Sequence, residues 1–339
     1  MVFRAAAFAA PRRGSGFPTE GAVDARRLNL AANAMRSLLT FVMRGRVHVI
    51  TACAVCSVLS LVLFPFNYLS GALLGLATLR HGAVEGVWVL LGSTVLGGAF
   101  TFAAIQSYFP ALLLALMSWV PVWVLAIVLR QSRSQGTALA AGALILAIAV
   151  VVVRIVLGDP AAWWTGVLED FFSWFPISAD WSLFIDRIAP IMTGIVAAGA
   201  LLGLAVTLLL ARWWHAVLDR PGGFGEEFRA LRMPRNSGYA ALVLTALAWV
   251  ADGWVSHLAL EWLMILMVIF GLQGISLVHY VVKRRNASVA WLAGLYVALA
   301  FVPQPASEVV LGLALVGLTD TWIDYRNRFG VRGNPPAGE

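Results

Sequence analysis

The sequence predicts an all-α fold, a polytopic transmembrane helix bundle, and three observations support this prediction. The chain of 339 residues is 60% hydrophobic and only 12% charged, whereas soluble domains carry about 25% charged residues. Apolar runs of about the length that crosses a bilayer recur along almost the whole chain. Arginines gather in the stretches between these runs, as they do in cytoplasmic loops. We therefore expect about 8–10 membrane segments, with both termini in the cytoplasm.

The clearest membrane segment is the stretch 258–285, which reads LALEWLMILMVIFGLQGISLVHYVVKRR. Its apolar part is long enough to cross the hydrocarbon core, since roughly 20 helical residues suffice. Trp262 and Tyr280 lie near its two ends, where aromatic side chains favour the level of the lipid headgroups. The basic residues at 283–285 predict that the segment ends on the cytoplasmic side.

Ten apolar segments can be counted along the chain. They lie at about 47–66, 68–80, 83–105, 109–129, 137–157, 188–211, 238–253, 258–282, 289–302 and 307–321. The segments at 68–80, 238–253, 289–302 and 307–321 are shorter than a comfortable crossing. Each could be a tilted crossing, a re-entrant piece or a half-helix, which is why the predicted count is a range.

The distribution of basic residues predicts the orientation. With ten crossings and a cytoplasmic N-terminus, all 24 Lys and Arg residues except Arg154 and Arg187 fall in cytoplasmic regions or at their edges. An odd number of missed crossings would mix the two sides. We expect a bacterial cytoplasmic membrane as the location. The net charge of +7 then predicts anionic lipid at the cytoplasmic face as a partner, and no nucleic acid.

Three parts of different character divide the chain. Residues 1–34 are rich in Pro, Gly and Arg and predict a disordered cytoplasmic tail. Residues 35–328 form the predicted transmembrane domain, and 329–339 a flexible C-terminal tail. Within the domain, the largest external segment is 158–187, and the largest cytoplasmic loop is 212–237.

The external segment 158–187 mixes acidic residues with Trp and Phe. This composition predicts a helix that lies in the outer interface and breaks at Pro176, either as an aromatic anchor or as a lid over an outward-facing cavity. The loop 212–237 carries five arginines, which favours docking of anionic lipid or of a protein partner.

The hexapeptide GALLGL occurs twice, at 71–76 and 199–204, each time with a G-x-x-x-G spacing. Small residues four apart allow two helix backbones to approach closely. Both copies lie on segments predicted to run from the outside to the inside. The repetition could reflect an internal repeat, although six residues do not establish one.

Polar side chains inside a membrane are costly and are therefore candidate functional groups. Gln106, Arg154, Gln273 and Glu308 form the predicted substrate-binding set, which either lines a common cavity or is scattered over separate interfaces. Arg154 is expected to reach outward to water, with binding of an anionic group in the bundle as the alternative. Gln273 is expected to join helices or, alternatively, to contact a ligand.

Asp320 and Asp324 are four residues apart and are predicted to share a helix face, with Asp324 paired to Arg328 one turn later. His279 is expected near the inner edge of its segment. The sequence contains no Ser-His-Asp set, no H-E-x-x-H and no P-loop. We therefore expect a protein that is not an enzyme and that needs no cofactor or metal.

Several stretches resemble the YybS-like family of bacterial predicted multi-pass membrane proteins, whose domain has no known function. They are MRSLLTFVMRGR, LATLRHGAVEG, GLQGISLVHYVVKRR, WLAGLYVALA and GLALVGLTDTWIDYRNR. The resemblance spans about 35–328 and implies a distant relation to the substrate-binding components of energy-coupling-factor transporters. The positions that it carries over are Gln273, Gly274, His279, Asp320 and Asp324, and it supplies no catalytic residues.

Two functional hypotheses follow, and a third, a membrane enzyme, would need a cavity with converging acid, base and donor groups. The first is a transport-related protein that binds a small solute between its helices, with a possible protein partner subunit. The second is a non-catalytic scaffold for the assembly of envelope or membrane complexes, which the glycine packing faces and the Arg-rich loop support.

Overall fold

The structure, a computed structural model, describes residues 30, 33–174, 181–301 and 303–330. All regular secondary structure in these residues is helical, which confirms the predicted all-α bundle. In chain order the helices are α1 (Asn33–Val42), α2 (Arg46–Leu59), α3 (Pro65–His81), α4 (Ala83–Ile105), α5 (Phe109–Ser132), α6 (Gln135–Leu157), α7 (Pro160–Ser173), α8 (Ser182–Asp219), α9 (Gly223–Arg229), α10 (Arg235–Val250), α11 (Trp254–Arg284), α12 (Ala290–Phe301), α13 (Pro303–Ile323) and α14 (Tyr325–Gly330).

Each of the ten predicted segments overlaps a helix, although the segment 47–66 runs past the end of α2 into the start of α3. Within the described residues, α4, α5, α6, α8 and α11 are each long and apolar enough to cross a membrane, and the number rises to six if α1 and α2, bent by 109°, form one span. Large apolar side chains such as Val95, Ile148 and Val152 are exposed on these helices. Lipid is the solvent in which such surfaces are stable. The protein is a multi-pass membrane protein.

Helices α3 and α8 pack side by side through small residues. A Cβ added at Gly71 would lie 2.8 Å from Thr207 Cγ2, and one added at Gly75 would lie 3.0 Å from Ala211 Cβ. The first GALLGL copy therefore makes the close approach that its spacing predicts. Because residue 71 faces 207 and residue 75 faces 211, α3 and α8 run parallel. This agrees with the prediction that both run in the same direction across the membrane.

Helices α11 and α13 approach each other even more closely. A Cβ at Gly274 would strike the Leu313 carbonyl, and one at Gly317 would strike the Phe270 carbonyl. Only glycine permits this distance between two helix backbones. The resemblance to the YybS-like family pointed to Gly274, and the structure assigns it this packing role.

Two apolar cores meet along α8. The first joins α1 to α5 with the second half of α8, around buried residues such as Leu74, Trp119 and Leu208. The second joins α6, α11 and α13 with the first half of α8, around residues such as Leu201 and Ile269. The long helix α8 thus holds the two halves of the bundle together.

One end of the bundle collects most of the charged side chains, and we call it the basic end. Here α3, α5, α8, α11 and α13 finish, and α4, α6 and α10 begin. Ion pairs link these helix ends, for example Arg46 Nε to Glu85 Oε1 at 2.6 Å and Arg80 Nη2 to Asp219 Oδ1 at 3.4 Å. The basic end is the side that the arginine distribution predicts to be cytoplasmic.

The two long connections are partly helical. In the predicted external segment, α7 begins at an Asp159 cap whose Oδ1 accepts hydrogen bonds from the amides of Ala161 and Ala162. The predicted break at Pro176 lies outside the described residues, as do most of the predicted tails 1–34 and 329–339. The predicted loop 212–237 contains the end of α8 and all of α9, which is more ordered structure than a loop.

Candidate functional site

A cavity with a volume of about 550 Å³ lies in the half of the bundle opposite the basic end. Five helices line it: the end of α2, the start of α3, the second half of α4, the first half of α5 and the middle of α8. A cavity of this size suits a small organic molecule, since ligand sites commonly measure about 300–1,000 Å³.

Small residues on α8 create this space. A Cβ added at Gly199 would meet no other atom within 4 Å, and one at Gly203 would meet only the ring of Tyr68, at 3.2 Å. Both glycines line the cavity. The second GALLGL copy was predicted to pack two helices closely, but its first glycine faces open space instead. The two copies therefore have different roles.

A π-turn shapes the wall that α5 provides. Residues Ala115–Trp119 widen into a π-helix directly before Pro121. Proline has no amide hydrogen to donate to the carbonyl four residues earlier, so regular α-helical bonding cannot continue through it. Met117 and Ser118, both in the π-turn, line the cavity. Turns of this kind are frequent at functional sites.

Hydrogen bonds hold the π-turn against α3 beside the cavity. Trp119 Nε1 donates to Ser70 Oγ at 3.1 Å, and Ser70 Oγ donates to the Asn67 carbonyl at 2.8 Å. Trp119 is almost fully buried, at 1% exposure. The start of α3 and the middle of α5 therefore form one fixed wall.

Asn67 lines the cavity and has a side-chain atom without a partner. Its side-chain oxygen Oδ1 is buried and has no hydrogen-bond partner. Some other polar groups of the wall are satisfied by their own helices: Ser57 Oγ donates to the Ala54 carbonyl, and Thr207 Oγ1 to the Gly203 carbonyl, both at 2.8 Å. A buried acceptor without a donor is unfavourable, so Asn67 is suited to a ligand with an N–H or O–H group.

The cavity wall is mainly apolar, and none of the described residues that line it carries a formal charge. The Tyr68 phenol lines the same space and packs edge-on against Phe64, with ring centroids 5.4 Å apart. The site therefore offers a mainly hydrophobic volume with a few hydrogen-bonding groups spread over its five helices. This combination fits an uncharged, largely apolar molecule.

The four residues predicted as a substrate-binding set do not share a cavity. Gln106 is exposed at the end of α4, where its φ of 54° terminates the helix, and Glu308 is exposed on α13. Arg154 and Gln273 lie at opposite ends of the second core, each bonded to protein groups. Of the two arrangements expected from the sequence, the structure shows the scattered one.

Arg154 turns into the bundle, which corrects the expectation that it reaches outward. Its Nη2 donates to Glu261 Oε2 at 2.9 Å, and Glu261 is fully buried. The antiparallel helices α6 and α11 bring the two residues to the same level, and charge attraction in the membrane exceeds that in water. Arg154 Nε and Glu261 Oε1 remain buried without partners.

Gln273 joins helices, as expected. Its Oε1 accepts a hydrogen bond from the Met233 amide at 2.8 Å, and its Nε2 donates to Asp320 Oδ2 at 3.0 Å. Asp320 also pairs with Arg326, whose Nη2 donates to Ser276 Oγ at 2.8 Å. These buried hydrogen bonds and the ion pair connect Met233, in the segment before α10, to α11 and α13. It leaves neither end of the Gln273 amide free for a ligand.

Asp324 pairs with Arg232 rather than with Arg328, which corrects the predicted bond. The reason is its φ of 50°, which ends α13 and turns the side chain away from the helical i, i+4 position. The two aspartates consequently do not share a helix face. Hydrogen bonding to Arg232 lowers the pKa of the Asp324 carboxyl below its ordinary value.

His279 Nε2 lies 2.9 Å from the Tyr296 hydroxyl, on the side of α11 that faces α12.

These observations define a polytopic helical membrane protein with an uncharged internal cavity. Residues 182–321 are similar to the family described as "Predicted membrane protein (DUF2232)", and the resemblance to the YybS-like family is consistent with this match. The match runs from the start of α8 into α13, so it includes Gly199, Gly203 and Thr207 of the cavity but not the walls from α2 to α5. No curated protein and no solved structure matches the chain.

Sequence reasoning missed the cavity residues because each is unremarkable alone. Asn67 and Tyr68 fall at the boundary between two apolar segments, where a polar residue is expected to meet water. One signal was present: a proline near the middle of an apolar segment, Pro121, which predicts a local break in helical hydrogen bonding.

Proposed function

We propose that the protein binds a small, uncharged, largely apolar solute in the cavity between α2–α5 and α8, and that this binding serves transport. The observation that supports it most directly is Asn67, which lines a cavity of about 550 Å³ and whose buried Oδ1 has no partner in the protein. A bound molecule with one hydrogen-bond donor would satisfy this oxygen and remove its desolvation penalty.

The chemistry of the wall restricts the solute. A carboxylate or ammonium group would enter without a countercharge, which costs far more than burial of an amide or hydroxyl. The same lack of acid, base and metal-ligating groups along the described lining favours binding without a reaction, so we propose a protein that is not an enzyme. The cavity lies at the level of the outer half of the membrane if the basic end is cytoplasmic, which suits capture of solute from outside.

The proposal places the protein in a bacterial cytoplasmic membrane with both termini inside. It includes a partner subunit, in line with the implied distant relation to energy-coupling-factor transporters. A partner would be needed because the described part of the chain contains no P-loop from which ATP hydrolysis could drive transport.

The test is to fill the cavity and follow bound solute. Gly199→Leu adds a side chain where the structure has open space, so the helix can accept it. Gly294→Leu on α12 is the matched control, because a Cβ there also meets nothing and the residue is exposed. Native mass spectrometry of the purified proteins is expected to show a small molecule in wild type and in Gly294→Leu, but not in Gly199→Leu.

Two results would count against the proposal. Wild-type protein that carries no small molecule and gains no thermal stability from a panel of uncharged, vitamin-sized compounds would contradict solute binding. Equal retention of a compound in Gly199→Leu would show that it binds elsewhere.

The second candidate function is a non-catalytic scaffold for membrane-complex assembly. It is favoured by the use of Gln273 and Arg154 as bonds between helices rather than as ligand contacts. In-cell crosslinking from the exposed basic end distinguishes it: a scaffold is expected to yield defined protein partners, and recovery of lipid alone would count against it.

A further inference from the structure

A second, smaller cavity lies at the basic end, far from the solute cavity. Its volume is about 300 Å³, and it lies between the ends of α3, α5 and α8 and the short helix α9. Its polar lining consists of Arg130, Arg133, Arg212, His215 and Glu227.

The ion pairs within this cavity leave positive charge uncompensated. Arg212 is neutralised by Glu227, and its Nη1 lies 2.8 Å from His215 Nδ1, which must accept that hydrogen bond. His215 Nε2 lies 3.5 Å from Asp219, so the imidazole is bonded on both sides. Arg130 and Arg133 remain, and neither has an acidic partner among the described residues.

Arg130 is held in place without being neutralised. Its Nη1 donates to the Leu79 carbonyl at 2.6 Å, at the C-terminal end of α3. A backbone carbonyl carries only a partial charge, so the guanidinium keeps its net positive charge and the rest of its donors. Nη1 also lies 3.5 Å from the Thr78 carbonyl, so these contacts hold this end of the guanidinium beside the cavity.

Arg133 is held in an unusual backbone conformation. Its φ of 54° is left-handed, and it terminates α5. An arginine is uncommon at such a position, where glycine or asparagine is favoured. Its side chain makes no hydrogen bond or ion pair within the described part of the chain. This strained backbone is consistent with a ligand contact by the Arg133 side chain, because strained residues are often found where a ligand is bound.

We propose that this cavity binds a phosphate group through Arg130 and Arg133, with the Arg212–Glu227 pair as its far wall. Guanidinium groups match phosphate oxygens in shape and charge and can donate two hydrogen bonds at once. The cavity lies where helices end at the basic end, which is the level of lipid headgroups. The phosphate belongs either to the headgroup of an anionic phospholipid or to free phosphate.

The test uses the full chain and separates the two sources. Native mass spectrometry after release from nanodiscs of phosphatidylcholine with phosphatidylglycerol measures retained phosphatidylglycerol. Titration of inorganic phosphate in a neutral detergent, with thermal unfolding as the readout, measures the free anion. The variant is Arg133→Asn, because asparagine tolerates a positive φ. The control is Arg285→Asn, an exposed arginine outside the cavity at the same end.

Wild type is expected to retain phosphatidylglycerol, to be stabilised by phosphate, or both. Arg133→Asn is expected to weaken the interaction roughly fivefold, Arg285→Asn to leave it unchanged, and Arg133→Lys to restore part of it. Retention of lipid alone assigns the site to a headgroup, and a phosphate shift alone assigns it to free phosphate. The proposal is overturned if neither probe binds, or if both Asn variants reduce binding equally, which would indicate a diffuse basic surface. An unchanged Tm of Arg133→Asn in pure phosphatidylcholine nanodiscs shows that the variant folds.

Discussion

At the scale of single residues, Asn67 carries the functional proposal because its buried oxygen costs stability when the cavity is empty. Asn67→Leu keeps the shape of the side chain and removes this acceptor. We expect the solute-free variant to be as stable as wild type or more stable, by up to about 1–3 kcal/mol, while solute binding is lost. Thermal unfolding and native mass spectrometry on the same preparations measure both effects. A destabilised variant that still retains solute would show that Asn67 is a structural residue.

The ion pair between Arg154 and Glu261 leads to a prediction about the free energy of unfolding. Arg154→Met leaves the buried Glu261 carboxylate without its countercharge, and loss of one member of a buried pair typically costs about 3–5 kcal/mol. The double variant Arg154→Met with Glu261→Leu removes both charges and is expected to recover most of that loss. Unfolding free energies in detergent measure the cycle. If the double variant were no more stable than the single one, the ion pair could not be the reason for the burial of Glu261.

The sequence identified a residue that joins helices more readily than it identified which residues contact each other. It pointed to Gln273 as a bond between helices, which the structure shows. Arg154 was expected to reach water, because its partner Glu261 lies 107 residues away along the chain and proximity depends on how α6 and α11 pack. The partial burial of Asn67 was equally unpredictable, since it depends on which helices surround the cavity.

At the scale of helices, glycines decide which pairs touch. Gly274→Ala is expected to destabilise the protein strongly, because the added methyl group would strike the Leu313 carbonyl and separate α11 from α13. Gly199→Ala is the matched control, since the same methyl group would enter open space. A difference in Tm between the two variants checks the prediction. Equal Tm values would contradict the close approach of α11 and α13.

Helices were predictable because their signal is local. Each of the ten apolar segments overlaps a helix, since apolar length and flanking charge are read directly from neighbouring residues. The G-x-x-x-G spacing identified helix faces with small residues but could not distinguish a packed face from a cavity wall. That distinction depends on the neighbouring helix. Gly75 of α3 lies directly against Ala211 of α8, whereas no atom of another helix would lie within 4 Å of a Cβ added at Gly199.

At the scale of the whole molecule, α3 runs parallel to α8, and α11 runs parallel to α13, since Gln273 bonds to Asp320 and, further along the chain in both segments, Tyr280 bonds to Arg326. Both pairs agree with the crossings that the arginine distribution predicts. Cysteine-accessibility labelling in intact cells tests the orientation. Arg285→Cys at the basic end is expected to stay protected from an impermeant reagent, and Asp252→Cys at the opposite end is expected to be labelled. The reverse pattern would place the solute cavity on the cytoplasmic side and would end its proposed role in capture from outside.

An experimental cryo-electron-microscopy map of the purified full chain tests the solute-binding claim most directly. The account predicts compact non-protein density in the cavity between α2–α5 and α8, with an atom within hydrogen-bonding distance of Asn67 Oδ1. A cavity that holds only continuous lipid acyl density, or that closes by contact of α5 with α8, would contradict it.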